Sequence, residues 1–485
     1  YAWLALALLV LIACFSPNAN SLHQLYRDRL SRAFLMERAG LPRLNASMQF
    51  AHQDTQTTRQ VIDRNIDTLR GWSRTGNSGQ DAAGDREGER QVRPDDWTFS
   101  SLKPRNAAGT FHNSAAWAPY LLVNTSINLQ AGYLNRRGRN ADTFTLGPLT
   151  CGSDATGYVM TSDMEDRHPR LTVASGLAIS GAAASANMGS YTIPLITFSL
   201  AALNIRLGYW LPNPKRLNLF PPGPKDAKAK PPWRRWESGV GPWYFLRELF
   251  GRIDEKNRRI HLTDGGHIEN LGVYELIKRR CRVIIAVDAD ADQGMVFPSL
   301  VKAQLMTRVD HGVRFELPWT EVAAASKSAD EKVGRADEAS LYDKTGPHVA
   351  VGRIVYRQKT GDTDDAGEDV HGVLIYIKSS MTGDESDLLR DYKRRYRDFP
   401  HETTLDQFFS EEQFEVYRAL GFHMAFRFFT GRDNAAFWMP DDVKAREEFF
   451  DDVRNALTSI SVPAANVERI MARAAAQGDA RDKAR

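Results

Sequence analysis

Three kinds of apolar pattern follow one another between Arg259 and Asp292, RIHLTDGGHIENLGVYELIKRRCRVIIAVDADAD. Polar His261 and Thr263 alternate with apolar neighbours, which predicts a strand. Gly265 and Gly266 then predict a turn that no side chain could crowd. Val273 to Lys278 reads as helix, and Val283 to Val287, short and rich in β-branched residues, reads as a parallel strand buried on both faces. The segment is thus expected to be a βαβ unit. In such sheets ligands bind outside the carboxyl ends of the strands, which puts Asp264 at the functional edge. An Asp-Gly-Gly string taken alone also fits an ordinary turn whose carboxylate caps the next helix.

Elsewhere the pattern is more varied. Tyr1 to Phe15 is apolar and uncharged but shorter than the roughly 20 residues that span a bilayer. It is followed by Arg27, Arg29 and Arg32, so it is expected to be the end of a transmembrane helix with the next domain on the cytoplasmic side; a buried core helix is the alternative. Ser21 to Met36 has helical apolar spacing and a basic face, suited either to an anionic membrane surface or to packing on its own domain. Gly71 to Asp96 is polar and should be an exposed insertion. Tyr191 to Leu211 is strongly apolar yet carries Pro194, Asn204 and Arg206, which fits a buried helix or a lipid-facing cap better than a bilayer span. Pro212 to Pro242 reads as an irregular loop with Trp233, Trp236 and Trp243 in or beside it. Gly352 to Gln358 and Gly372 to Lys378 should pair as a hairpin, and Thr404 to Leu420 should be a helix with Phe408, Phe409, Phe414 and Tyr417 on one face. After Pro463 a weak, frayed helix is expected.

These readings divide the chain into the end of a membrane helix (1–20), an amphipathic helical segment (21–70), an insertion (71–96), the second half of an α/β core (97–300), an α/β extension (301–430) and a helical tail (431–485). Lys plus Arg number 63 against 60 acids in 485 residues, so nothing in the charge balance demands nucleic acid. Three scattered cysteines, Cys14, Cys151 and Cys281, supply neither a disulfide framework nor a zinc site. Asp288, Asp290 and Asp292 imitate the start of a calcium loop, but Gln293 and Ser299 stand where glycine and a bidentate glutamate are required. They are read instead as ending a strand at the same edge as Asp264. His267 and Glu269 are read as polar rim residues, His401 as a structural histidine, and no metal or other cofactor is assigned.

The string DGGHIENLGVYEL resembles the aspartate motif of the patatin-like and cytosolic phospholipase A2-like lipid acyl hydrolases. Ala118 to Gln130, Leu171 to Gly189 and Phe399 to Gly421 resemble further segments of that group. The resemblance implies a patatin-like α/β sheet flanked by helices and a Ser/Asp dyad whose acid is Asp264, with Gly265, Gly266, Asn270 and Gly272 matching the motif's supporting turn. It also implies a phospholipid or other lipid ester as substrate, a membrane as partner, and no cofactor. The nucleophile of such an enzyme sits in G-x-S-x-G on a sharp strand-to-helix turn. No such pentapeptide occurs here: Ser78 lies in GNSGQ and Ser180 in GLAISGAA, and Gly265-Gly266 is the single Gly-Gly pair in the chain. The expectation is a fragment whose nucleophile and glycine-rich oxyanion loop lie upstream. Ser175 or Ser180 as substitute, and a catalytically inactive lipid-binding protein of the same fold, are the alternatives.

Overall fold

The computed structural model describes Arg27 and residues 97–102, 120–129, 138–181, 208–220, 244, 247, 252–330, 346–357, 369–403 and 410–483. Two sheets organise them. The first contains β1 (Val123–Asn128), β2 (Ala141–Leu146), β3 (Thr150–Ser153), β4 (Gly157–Met160), β5 (Tyr209–Pro212) and β6 (Arg259–Asp264) in the order β4-β3-β2-β1-β6-β5, with every pairing antiparallel. Its core joins Val123, Ile127, Phe144, Leu146, Ile260 and Leu262 to Met164 of helix α1 (Thr161–Arg167) and Val173 and Ile179 of α2 (Val173–Ser180). Helix α2 starts where it does because Thr172 and Ser175 cap each other's backbone N–H groups.

The second sheet holds β7 (Val283–Asp288), β8 (Arg314–Glu316), β9 (Val349–Tyr356), β10 (Val370–Lys378) and β11 (Ala436–Phe437) in the order β11-β9-β10-β7, with β8 beside β9. Strands β7 and β10 run parallel, whereas β9 and β10 form the expected antiparallel pair. One face packs on α3 (Val273–Lys278), α4 (Pro298–His311) and α5 (Trp319–Asp330) through Ile277, Leu300, Val322, Leu374 and Tyr376. The other packs on α6 (Asp387–Arg395), α7 (Glu411–Phe429), α8 (Val443–Ser459) and α9 (Ala464–Lys483) through Val351, Ile375, Leu389, Leu420, Phe449 and Ile470. Being covered on both sides, β9 is buried along its whole length.

Several expectations need correction. Strands β6 and β7 lie in different sheets, so Arg259 to Asp288 is a strand, helix and strand in sequence but not a βαβ unit. Pairing is non-local: β6 is claimed on both sides by β1 and β5, and β7 by β10. Burial is also exchanged between the two strands. The alternating β6 is buried from Arg259 to Thr263, whereas the uniformly apolar β7 leaves Ile285 40% and Val287 61% exposed, because among the described residues it is the end strand of its sheet. The second sheet therefore begins at Val283, inside the 97–300 segment expected to form one core.

Of the Tyr191 to Leu211 stretch, Tyr209 to Leu211 is a strand and not part of a helix or cap, and 191–207 lie outside the described residues. On α7 the buried stripe is Val416, Leu420, Met424 and Phe428; of the expected face Tyr417 packs against the core part-buried, Phe414 is exposed, and Phe408 and Phe409 lie outside the described residues. The tail after Pro463 is a 20-residue helix whose Val467, Ile470, Met471 and Ala474 enter the core, so packing supplies the stability its composition lacks. The apolar Tyr1 to Phe15, the amphipathic Ser21 to Met36 (Arg27 apart) and the 71–96 insertion lie outside the described residues. Among the described residues no helix is long and apolar enough to cross a membrane.

The one-sided cover of β7 can be measured. Ile375 and Ile285 are cross-strand partners on the same sheet face, one fully buried and one 40% exposed. Ile375→Ala is expected to cost about 2–5 kcal/mol of stability and Ile285→Ala less than about 1 kcal/mol, read by urea titration.

Candidate functional site

The site is built at the carboxyl end of β6, where the chain leaves the first sheet. Asp264 pairs with Thr125, Thr263 with Ser126 and Leu262 with Ile127, which fixes the face each side chain takes. His261 and Thr263 therefore stand on the face opposite Asp264, where the Asn128 amide donates to Thr263 Oγ1 at 3.0 Å and lies 3.3 Å from His261 Nδ1. His267 Nδ1 is 3.2 Å from the same Thr263 hydroxyl. These buried polar side chains hold β6 in register beneath the turn.

That turn is a short 3-10 segment, Gly265–His267. A Cβ on Gly265 would sit 2.6 Å from the Asn124 carbonyl oxygen, so close approach to backbone excludes other residues there, and one on Gly266 would displace the Asn270 side chain. Gly272 adopts φ +69°, the left-handed region, just before α3 begins. Glu269 fills the gap left by a residue with no side chain at that helix start: its carboxylate accepts from Leu271 N–H at 2.6 Å and Tyr274 N–H at 3.1 Å. Both His267 and Glu269 are buried supports, not the rim residues expected.

Asp264 itself makes one hydrogen bond, accepting from Gly266 N–H on Oδ1 at 2.7 Å; among the described residues Oδ2 has no hydrogen-bond partner. Burial pushes its carboxyl up to about 6; the Gly266 N–H opposes that rise and the nearby Asp290 charge adds to it. Asp290 is in turn raised, chiefly by burial, although it accepts from Asn270 Nδ2 and from the Ser299 hydroxyl. Asn270 thereby joins the two strand ends, since it follows β6 and grips the acid that follows β7.

The other two acids of that run have separate work. Asp288 faces Lys378 Nζ at 2.9 Å and accepts from the Tyr376 hydroxyl, and Lys378 also donates to the Asp290 carbonyl at 3.1 Å. Asp292 accepts from the N–H groups of Val296 at 3.0 Å and Phe297 at 2.7 Å. The acids thus end β7 beside Asp264 but belong to the other sheet.

The expected residues Asp264, Gly265, Gly266 and Asn270 form one continuous turn, and Gly272 borders it through Asn124, whose Nδ2 lies 3.2 Å from where a Cβ would be. The serines expected as substitutes are used otherwise. The Ser175 hydroxyl is buried in the cap of α2, where it donates to the Thr172 carbonyl at 2.8 Å, and the Ser180 hydroxyl donates to the Asn124 carbonyl at 2.7 Å. Two participants were missed by sequence reasoning. Asn124 gave no signal, because its role is set by the pairing of β1 with β6. Lys378 gave one: it is the lone charge ending the apolar GVLIYIK strand, and it lies in register with Asp288. His401, expected to be structural, is buried with Nδ1 3.4 Å from the Asp290 carbonyl, and burial lowers it to about 4.

No protein-family model, curated protein or solved structure matches this chain at a significant level.

The Asp264 environment has a measurable thermodynamic sign. Its native value, about 6 against 3.8, means that the folded state holds the proton more tightly, so the carboxylate costs stability as pH rises from about 4 to about 6 and costs the full amount above that. Asp264→Asn keeps an oxygen for Gly266 N–H and removes the charge. It is expected to raise stability at pH 7.5 by about 1–3 kcal/mol and to leave it unchanged at pH 4, measured by denaturant titration at the two pH values.

Proposed function

We propose that this chain is the Asp-bearing part of a membrane-associated lipid acyl hydrolase, with Asp264 as the general base of a Ser/Asp dyad. The observation that carries this reading is the state of the Asp264 carboxylate: one oxygen is fixed by Gly266 N–H, the other is open, and the group is withdrawn from water enough to titrate near 6. A base of that kind is basic enough to take a hydroxyl proton and is ionised at neutral pH. The likeness of DGGHIENLGVYEL to the patatin-like aspartate motif supplies the reaction class.

In this reading a serine from outside these 485 residues stands beside the open Asp264 oxygen. As its Oγ attacks the ester carbonyl carbon, the hydroxyl proton passes to Asp264, and backbone N–H groups of a glycine-rich turn, also outside this chain, hold the oxyanion. When the tetrahedral intermediate collapses, Asp264 returns the proton to the departing alcohol oxygen. It then takes a proton from the water that attacks the acyl-serine carbonyl and passes it to the departing serine oxygen, which releases the fatty acid and restores the carboxylate. Among the described residues β7 ends its sheet with Ile285 and Val287 exposed, which leaves an edge and an apolar face where a further strand would fit. The substrate is a phospholipid or another lipid ester, the site works at a membrane with this part of the protein on the cytoplasmic side, and no cofactor is used.

A second reading, a lipid-binding protein of the same fold without turnover, is favoured by one observation: the chain has no G-x-S-x-G, and the two candidate substitutes, Ser175 and Ser180, are each bonded to a backbone carbonyl. Kinetics of the intact polypeptide separate the two. Asp264→Asn is expected to lower kcat/KM for phospholipid ester hydrolysis by roughly 10³–10⁴-fold, and the wild-type rate is expected to rise with pH about a midpoint near 6. Turnover retained by Asp264→Asn would remove Asp264 from the mechanism. Vesicle binding without release of any fatty acid by the wild type would favour the binding protein.

A further inference from the structure

We infer that His348, Asp384 and His423 form a binding site for a first-row divalent cation of the zinc type, which ties helix α7 to the second sheet. The three residues come from the start of β9, the loop after β10 and the middle of α7. Asp384 Oδ1 lies 3.0 Å from His348 Nε2 and 2.9 Å from His423 Nε2, and the three ligand atoms all fall within 4.8 Å of one another. Separations of about 3 Å are those of adjacent ligands around an ion whose bonds are about 2.0–2.2 Å long. Two imidazole nitrogens and one carboxylate oxygen suit zinc or cobalt better than calcium or magnesium, which prefer oxygen alone.

The surroundings orient this donor set. The Ser380 hydroxyl donates to the Lys378 carbonyl at 2.9 Å, so toward His348 Nδ1, 3.0 Å away, it acts as acceptor. His348 must then carry its proton on Nδ1, which turns Nε2 toward Asp384 and His423. A hydrogen-bonded far nitrogen of this kind is the usual partner of a metal-bound histidine. Arg427 Nε occupies the other Asp384 oxygen at 2.7 Å and leaves Oδ1 to the imidazoles. The Thr382 hydroxyl, 3.0 Å from His348 Nε2, adds one more oxygen at the cluster.

Charge supplies an independent argument. Asp384, Glu385 and Asp433 gather around His348, and Arg427 is the guanidinium that faces them. Glu385 accepts from the N–H groups of Thr382 and Gly383, and Asp433, 3% exposed, is buried against the His348 backbone and near the Arg427 guanidinium. Three buried acids thus face one guanidinium at the rings, an arrangement in which a cation is well placed. Buried uncompensated charge is costly, and a cation between the rings removes the cost. His348 is fully buried and His423 19% exposed, so the site is closed on the sheet side and reached past α7. A closed site of this sort is structural: it cross-links a strand end, a loop and a helix.

The test uses the full chain, stripped with EDTA and titrated with Zn²⁺ by calorimetry and with Co²⁺ by visible absorption. About one equivalent should bind, with a cobalt band characteristic of nitrogen ligation and a rise in Tm. His423→Ala, on the partly exposed helix face, should keep its circular dichroism and weaken binding by at least about 100-fold, and Ser380→Ala, which only orients His348, by roughly 10-fold. If His423→Ala fails to fold, His423→Gln replaces it and should weaken binding likewise. Absence of stoichiometric binding overturns the inference. So does binding that survives loss of His423, since the ion then sits elsewhere.

Discussion

The architecture around Asp264 depends on one constraint: the chain leaves the first sheet through a turn whose first residue has no room for a side chain. Because Gly265 lies against the Asn124 carbonyl and Gly266 against Asn270, β6 can end flush with its neighbour β1 and still redirect the chain. Asp264, at the last position before the turn, is left part-buried with a backbone N–H within reach. Bulkier residues would push the turn away from β1 and return the carboxylate to water. The raised affinity of Asp264 for its proton is therefore a property of the turn as much as of the residue.

The second sheet contributes what the first cannot. Lys378, wholly buried on β10, neutralises Asp288 at the end of β7 and holds the Asp290 backbone, so the loop that follows β7 stays close to Asp264. Asn270 then bridges from the turn to Asp290. The result is two sheets held together at their strand ends by polar contacts, with the apolar cores on either side. The His348, Asp384 and His423 cluster does a comparable job at the same end of the second sheet, where the start of β9, the loop after β10 and helix α7 meet. Both arrangements concentrate buried charge where elements join.

What was legible in the sequence was local. The turn residues, helix α3 and the β9–β10 hairpin follow from spacing and residue type over a few positions, and the structure places them where the pattern does. What was not legible was partnership between distant segments. Val283 to Val287 has the composition of a strand buried on both faces, yet its place at a sheet edge is decided by β10, some 90 residues later. His261 and Thr263 alternate with apolar residues, yet both are buried, with the Asn128 amide against them. The tail after Pro463 has poor apolar content, but its Val467, Ile470 and Met471 land on a core made by three other helices and a sheet, which no window along the chain contains. The same limit hid the metal-type cluster, whose residues are separated by 36 and 39 positions.

Whether Asp264 activates a serine is read by treating the intact polypeptide with an alkyl fluorophosphonate, locating the modified residue by mass spectrometry, and comparing labelling rates of wild type and Asp264→Asn. A single labelled serine is expected, modified far more slowly once the carboxylate is gone. Labelling at the same rate with and without the Asp264 carboxylate, or no labelled serine at all, would contradict that role.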